Sequence, residues 1–217
     1  MMNLGIGVSQ IASKIFITLF LFTLISCDKE IERMDNYLVD FATVLKQGNN
    51  LLFKLDDGTL LTPKGSLNLK SDTGDRVILN WVPSDDNIVK INRATSIYTG
   101  EIQNEGYPSQ YKNHPIKIQS VWVGGIYLNM TFEIEYHSKP HSIAILRDME
   151  SQTVDLYFAH TTNSDPKGYP QTMYASFLLS SLLDKDTTAE TPFNLYINTI
   201  HGVRTYKFTL KNLLAAS

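Results

Sequence analysis

The stretch that most restricts the fold of this chain is the run YLNMTFEIEY, Tyr127–Tyr136, in which two kinds of side chain alternate. A period of two places successive side chains on opposite faces of a β-strand, and it does not fit the period of about 3.6 residues that a helix requires. One face of this strand is apolar and the other is mainly polar. We therefore expect a sheet with one face in a core and the other in solvent.

Similar strand patterns, separated by turn residues, recur along the rest of the chain. Asp57-Gly58 lies between two apolar runs, which favours a hairpin because glycine reaches positive φ without steric cost. About five strand segments precede a Gly- and Pro-rich break near Glu105, and about seven follow it. We predict an all-β chain with a small OB-like barrel at residues 37–105 and an immunoglobulin-like, seven-stranded β-sandwich at residues 106–217.

The first 26 residues have the composition of a secretory signal. Lys14 precedes the apolar run Ile15–Ile25, and no acidic residue occurs before Cys27. The run is shorter than the about 20 apolar residues that a membrane-spanning helix needs. The sequence therefore predicts a lipoprotein signal peptide at residues 1–26.

Cys27 is the only cysteine in the chain, and Leu24-Ile25-Ser26-Cys27 resembles a bacterial lipobox. In a lipobox the cysteine thiol is alkylated by diacylglycerol, and each buried methylene of the acyl chains contributes about 0.8 kcal/mol to anchoring. We predict lipid attachment at Cys27, followed by a charged tether at residues 27–36. The predicted location is the outer membrane, with the protein exported and facing either the periplasm or the cell surface.

Processing at Cys27 would leave a chain that depends on its own core for stability. It would have 18 basic residues (19 less Lys14) and 22 acidic residues, a balance of −4. It would also contain no second cysteine, so no disulfide could form within it, although exported proteins often use disulfides.

Several stretches of the sequence resemble the NigD-like lipoproteins. The resemblance covers residues 1 to about 183 and is carried by DNYLVDFATV, FKLDDGTLLTP, GDRVILNW, VWVGGIYLNMTFEIEY, a lone histidine before SIAILR, and DLYFAH. It implies a signal and lipobox, an N-terminal OB-like barrel and a C-terminal β-sandwich. The family takes its name from a bacteriocin gene cluster, which implies an immunity or accessory role for some members. It implies no catalytic or binding residues.

No recognisable catalytic or cofactor motif occurs in the sequence. A Gly-x-Ser-x-Gly nucleophile elbow and a phosphate-binding glycine-rich loop are both absent. His137 and His141 flank a Lys-Pro turn and are the weak candidates for metal ligands, but zinc needs typically three or four ligands. We therefore predict a protein that is not an enzyme, with no cofactor and no metal.

The charge of the barrel argues against a nucleic-acid partner. Residues 37–105 carry seven basic and nine acidic side chains, a balance of −2. Binding to phosphates depends on Lys and Arg, and single-strand sites on OB folds use a positively charged groove. We predict partners other than nucleic acid: the membrane, through the lipid anchor, and an envelope protein or a glycan.

Three tyrosines in Gly- and Pro-rich loops, Tyr107, Tyr111 and Tyr169, are the candidate binding residues, because tyrosines bury large areas at low entropic cost. Trp81 and Trp122 lie in apolar strands and are predicted to be core residues. A pocket is expected at the junction of the two domains.

The predicted function is a lipid-anchored envelope protein without catalysis that presents two β domains to a protein or a glycan. Two alternatives stay open: a bacteriocin immunity or accessory lipoprotein, and an unrecognised envelope hydrolase. Convergence of His137, His141 and His160 in one pocket would favour the hydrolase, because imidazole is the commonest general base.

Overall fold

The computed structural model describes residues 36–48, 50–67, 69–183 and 190–211. The predicted signal peptide, the predicted lipidation site Cys27 and all of the predicted tether except Asn36 lie outside the described residues. Within the described part of the chain, no helix has the length and apolar character needed to cross a bilayer.

The first five strands form a closed barrel. They are β1 (Leu38–Gln47), β2 (Asn50–Leu55), β3 (Leu60–Pro63), β4 (Arg76–Pro83) and β5 (Ile88–Ser96). Their order is β1-β2-β3-β5-β4, and β4 pairs antiparallel with β1 to close the barrel, while β3 and β5 are parallel. This closure leaves the small sheet without a free edge.

The barrel interior is filled by alternate side chains of these strands. Val44, Phe53 and Leu79 are fully buried there, as the period of two requires. The predicted hairpin joins β2 to β3, and Gly58 has φ +93° at its turn. That backbone conformation is open to glycine and strained for most other residues.

The second part of the chain forms eight strands. They are β6 (Tyr98–Gln103), β7 (Lys117–Gly124), β8 (Tyr127–Tyr136), β9 (Ser142–Arg147), β10 (Asp155–Thr161), β11 (Tyr169–Leu178), β12 (Thr191–Thr199) and β13 (Gly202–Leu210), with a 3-10 turn at Ser180–Leu182. The seven predicted sandwich segments correspond to β7–β13. The prediction of an all-β chain with a barrel followed by a sandwich is confirmed.

Strand β6 is an additional strand that joins the two layers of the sandwich. Tyr98–Glu101 pairs in parallel with β11, and Ile102 and Gln103 pair in parallel with β9. The resulting sheet order is β13-β12-β10-β9-β6-β11-β8-β7. Only Ile97 separates β5 from β6, so no turn signal marks the passage from barrel to sandwich. The domain division predicted at residue 105 stays a prediction, and β6 pairs with the sandwich strands although it precedes that residue.

The alternation in β8 correctly predicts the core face of this strand. Leu128, Met130 and Phe132 are buried in the single apolar cluster that fills the sandwich. The opposite face is not uniformly exposed, because Asn129 is fully buried whereas Glu135 is exposed. The first half of this polar face is covered by the barrel, which the strand pattern alone does not reveal.

Candidate functional site

The contact between barrel and sandwich is organised around Arg76, the first residue of β4, whose side chain is fully buried. Its Nη1 lies 2.7 Å from Asp56 Oδ1, and its Nη2 donates to Asp56 Oδ2 at 3.1 Å. Nη1 also donates to Thr43 Oγ1 at 3.0 Å. On the sandwich side, Nη2 donates to Asn129 Oδ1 at 3.0 Å, and Nε donates to Ser176 Oγ at 3.3 Å. Four of these contacts are hydrogen bonds, and the contact of Nη1 with Asp56 Oδ1 completes an ion pair with the carboxylate.

The acceptors around Arg76 are also bonded to one another. Asn129 Nδ2 donates to Asp56 Oδ2 at 2.6 Å, and Ser176 Oγ donates to Asn129 Oδ1 at 2.7 Å. The Tyr127 ring completes the enclosure, with its centroid 4.2 Å from Arg76 Cζ, which is the geometry of a cation–π contact. Burial raises the pKa of Asp56, and the hydrogen bonds and charge of Arg76 act in the opposite direction. We call these residues, together with Thr43, the Arg76 network.

The glycine pair before β8 is explained by the same network. A Cβ atom on Gly124 would overlap the Asp56 carboxylate, and Gly125 has φ +57°. A side chain at residue 124 would therefore displace the carboxylate that pairs with Arg76. Three of the stretches that carry the family resemblance thus meet at the Arg76 network: LDDGTLLTP, GDRVILNW and VWVGGIYLN. They assemble the junction rather than a set of reacting groups.

Two cavities open at the edge of this junction. The first, of about 560 Å³, lies between the barrel and the first half of β11, and we call it the junction groove. Tyr37, Val39 and Tyr98 line it, and Arg93 is the single charged residue among the described residues of its lining. The second cavity, of about 490 Å³, shares Val39 with the junction groove, and its described lining includes three aspartates, Asp40, Asp56 and Asp57. A pocket is therefore present where the junction was expected to hold one.

The two tryptophans differ in their positions. Trp81 packs in the barrel core, and its Nε1 donates to Asp40 Oδ2 at 2.8 Å. Trp122 is only half-buried and lies outside both cores. Its ring makes an edge contact with Phe41 at a centroid distance of 5.0 Å and lines the second cavity. The prediction that Trp122 is a core residue is wrong, because its apolar strand places it against the barrel.

Three of the five histidines lie together at the far end of the sandwich. His160 Nε2 lies 2.9 Å from His141 Nδ1, and His160 Nδ1 lies 3.1 Å from the His114 carbonyl oxygen. Because a carbonyl only accepts, His160 Nδ1 must carry the proton, so its Nε2 accepts from His141 Nδ1. Burial lowers the pKa of His160 to about 4 and keeps its ring neutral at pH 7.

Asp165 lies on the other side of His141. Its carboxylate accepts the backbone N–H groups of His137, Ser138 and Lys139 at 2.8, 3.1 and 2.9 Å. Burial alone would raise the pKa of Asp165, but these hydrogen bonds outweigh it and hold the pKa far below its usual range. His141 Nε2 lies 3.4 Å from Asp165 Oδ2 without an aligned hydrogen bond, so this contact is electrostatic. The arrangement fastens the Lys-Pro turn to the loop that follows β10.

These histidines line a cavity of about 490 Å³, but only part of the predicted convergence occurs. His141 and His160 meet there, whereas His137 is not in the lining and its Nδ1 pairs with Ser138 Oγ at 3.0 Å. The sequence candidates His137 and His141 therefore have different partners. Within the described ranges, no three His, Cys, Asp or Glu residues are placed to hold a metal ion.

The carboxylates at the rim of this cavity are also paired. Glu133 lies 3.2 Å from Lys117, and Glu135 lies 3.2 Å from Lys167. The pairing of His114 with His160 was missed from the sequence, because it depends on an isolated parallel bridge between Asn113 and His160. No local pattern signals a contact between residues so far apart.

The loop tyrosines divide into two groups. Tyr107 stacks on Tyr157 at 4.3 Å, Tyr157 stacks on Tyr196 at 4.7 Å, and Tyr111 makes edge contacts with Tyr107 and Tyr157. Burial and the neighbouring Tyr107 raise the pKa of Tyr157. Tyr169 stands apart at the start of β11 and is 82% exposed. Binding by Tyr107, Tyr111 and Tyr169 stays a prediction, and the strand positions of Tyr157 and Tyr196 are the signal that sequence reasoning overlooked.

Comparison with known proteins gives one family match. The sequence profile of the NigD-like C-terminal beta sandwich domain matches residues 99–210, just over half of the 217-residue chain. The match begins within β6, in agreement with the pairing of that strand. No curated protein sequence matches the chain.

Solved structures share this architecture over both the barrel and the sandwich. A protein from Parabacteroides distasonis, provisionally described as toxin-related, is 28% identical with a TM-score of 0.73, over 83% of this chain and 96% of that chain. A NigD-like immunity protein from Bacteroides caccae is 21% identical with a TM-score of 0.64, over 80% and 96%. A protein from Bacteroides fragilis, provisionally described as a lipoprotein, is 11% identical with a TM-score of 0.58, over 81% and 97%.

Proposed function

This chain belongs to the NigD-like family, whose C-terminal β-sandwich domain it carries, and we propose on that premise that it is a non-catalytic protein of the cell envelope. It is held at the membrane by lipid on Cys27 and works by binding a protein or a glycan. The family match covers the sandwich, and similar solved structures extend the likeness to the barrel.

The observation that carries this proposal is that the buried polar groups of Arg76 and His160 are bonded to other protein groups. His141 Nε2 has no hydrogen bond to any described residue, but its side chain is buried and this nitrogen faces the Asp165 carboxylate at 3.4 Å. Arg76 donates four hydrogen bonds within the junction and pairs with the Asp56 carboxylate, and His160 has both ring nitrogens occupied by His141 and His114. A general base must offer a free lone pair within reach of a substrate proton. These groups therefore serve folding, and the open surfaces beside them are left for contact with a partner. On this ground the binding role is favoured over a hydrolase.

The lipid anchor rests on the sequence of the leader and on one structural relative. Leu24-Ile25-Ser26-Cys27 resembles a lipobox, and the similar Bacteroides fragilis protein is provisionally described as a lipoprotein. One acyl chain gives reversible binding to a membrane, whereas two or more give stable anchoring. Diacylglycerol on Cys27 would therefore keep the protein at the membrane.

Replacing Cys27 with alanine is expected to move the protein out of the membrane fraction and to abolish recovery of its partner from cross-linked envelopes. The reason is that the acyl chains would supply the anchoring free energy. Cell fractionation, mass spectrometry of the N-terminus and affinity recovery measure these effects. Ser66→Ala, at an exposed position between β3 and β4, is the matched control and should change neither the membrane fraction nor the recovery of the partner. A wild-type protein with a free Cys27 thiol and an intact leader would contradict the proposal.

A bacteriocin immunity or accessory role is the second candidate. It is favoured by the description of the similar Bacteroides caccae structure as a NigD-like immunity protein. In this role we expect deletion of the gene to raise sensitivity to the cognate bacteriocin at least about tenfold, because a cell with no immunity protein lacks the protective contact. Growth inhibition by serial dilutions of bacteriocin measures it. Unchanged sensitivity in the deletion strain, with restoration by the wild-type gene as control, removes this candidate.

A further inference from the structure

The first half of β11 has a free backbone edge. On one side, β11 pairs with β8 along its whole length, Tyr169–Leu178. On the other side, it pairs with β6 only over Ala175–Leu178. Among the described residues, the backbone of residues 169–174 has no partner on this side, and Gln171 and Thr172 are exposed. An exposed edge of this kind is a template for another strand.

The edge is open because β5 and β6 run from the barrel into the sandwich at this point. β6 starts at Tyr98 opposite Ala175, and the chain before Tyr98 belongs to the barrel. The wedge between the barrel and the free half of β11 is the junction groove. Apolar side chains line its mouth: Tyr37 and Val39 are each 51% exposed, and Tyr98 is 43% exposed.

The described lining of the junction groove carries one positive charge. Arg93 lines the groove and donates from Nε to Thr95 Oγ1 at 3.1 Å, and no carboxylate occurs among the described residues of the lining. Among the described residues, no salt bridge to Arg93 is formed, so its guanidinium group has donors available for a ligand. An acidic group is the complementary partner.

We propose that the junction groove binds an extended, acidic peptide segment of a partner protein, which adds as a strand to the free edge of β11. The inference deepens the proposed binding function and rests on it. Main-chain hydrogen bonds to residues 169–174 would supply affinity, although Pro170 has no N–H and offers only its carbonyl group. An acidic side chain on Arg93 would supply specificity. Six residues of edge span about 20 Å, enough for a short strand.

The edge favours a peptide over a saccharide. The unpaired N–H and C=O groups on one edge of a strand belong to alternate residues, about 6.6 Å apart, and a second strand matches that repeat. The hydroxyl groups of a saccharide do not follow this repeat. The exposed Tyr37, Val39 and Tyr98 would contact alternate side chains of the added strand.

The test uses the full chain in detergent and the capped heptapeptide acetyl-Thr-Val-Thr-Glu-Val-Thr-Val-amide. Calorimetry should give saturable binding that is about tenfold tighter than for the same peptide with lysine in place of glutamate. Two further peptides carry N-methyl groups on alternate amides, one on its odd-numbered residues and the other on its even-numbered residues. One of them should lose binding and the other should keep it, because an added strand turns only alternate N–H groups towards the edge.

Arg93→Gln should reduce the preference for glutamate to less than about twofold, and Arg204→Gln, at an exposed position on β13, is the matched control and should preserve it. No saturation at millimolar peptide, equal binding of both N-methylated peptides, or displacement of the peptide by an acidic oligosaccharide that binds more tightly would overturn the proposal. If these peptides fail while partner recovery still depends on Cys27, the proposed function stands and the groove assignment falls.

Discussion

Replacing Arg76 with leucine is expected to lower the free energy of unfolding by about 3–5 kcal/mol. The substitution removes one partner of a buried ion pair and leaves the Asp56 carboxylate without its counter-ion, a change with this typical cost. Asn129 and Ser176 would each lose a hydrogen bond as well. Urea denaturation of the full chain, followed by tryptophan fluorescence, measures the loss, since Trp81 lies in the barrel core and Trp122 lies against Phe41.

A surface ion pair provides the matched control for Arg76. Lys46 lies 3.0 Å from Asp72, and both side chains are substantially exposed. Lys46→Met should therefore cost less than about 1 kcal/mol. The double variant Arg76→Leu with Asp56→Leu should regain much of the loss, because it leaves no buried charge behind. A loss from Arg76→Leu as small as that from Lys46→Met would mean that the Arg76 network does not hold the barrel to the sandwich.

Acidification from pH 7 to pH 4 is expected to lower the free energy of unfolding by about 3 kcal/mol more in the wild type than in His160→Gln. Burial lowers the pKa of His160 to about 4, whereas an unfolded histidine titrates near about 6.5. Between these values the unfolded chain binds more protons than the folded one, so stability falls as the pH falls and is fully present above about 6.5. Urea denaturation measured at several pH values between 7 and 4 gives the slope of the free energy of unfolding against pH.

Glutamine suits the comparison because its amide can both donate to the His114 carbonyl and accept from His141. His114 and His141 contact the His160 ring, and Asp165 contacts His141, so these groups are present in both proteins and only the residue at position 160 differs. His201→Gln, at an exposed position, should leave the wild-type slope unchanged. Equal slopes in His160→Gln and the wild type would place the pKa of His160 near its ordinary value.

The strand pattern predicts most of the fold because it depends on local alternation. The hairpin at Gly58 and the core face of β8 follow from residues close together in sequence. The sequence pattern does not distinguish β6 from β5, because only Ile97 separates the two strands. The pairing of β6 with β9 and β11 is set by distant parts of the chain. The burial of Asn129 likewise depends on where the barrel rests.

The candidate site was predicted less completely, for the same physical reason. A junction pocket was expected, but nothing local identifies Arg93 or the free edge of β11 as its lining. His137 and His141 were singled out because they are close in sequence, whereas the actual partner of His141 is His160 on another strand. Proximity along the chain is a poor guide to which side chains meet across a sheet.

The closed hydrogen-bond set of Arg76 also limits how such proteins can diversify. A different barrel placed before this sandwich would have to offer an arginine and an aspartate that match Asn129 and Ser176. The two β modules are therefore expected to be inherited together, while the loops and the groove around them are free to vary with the partner.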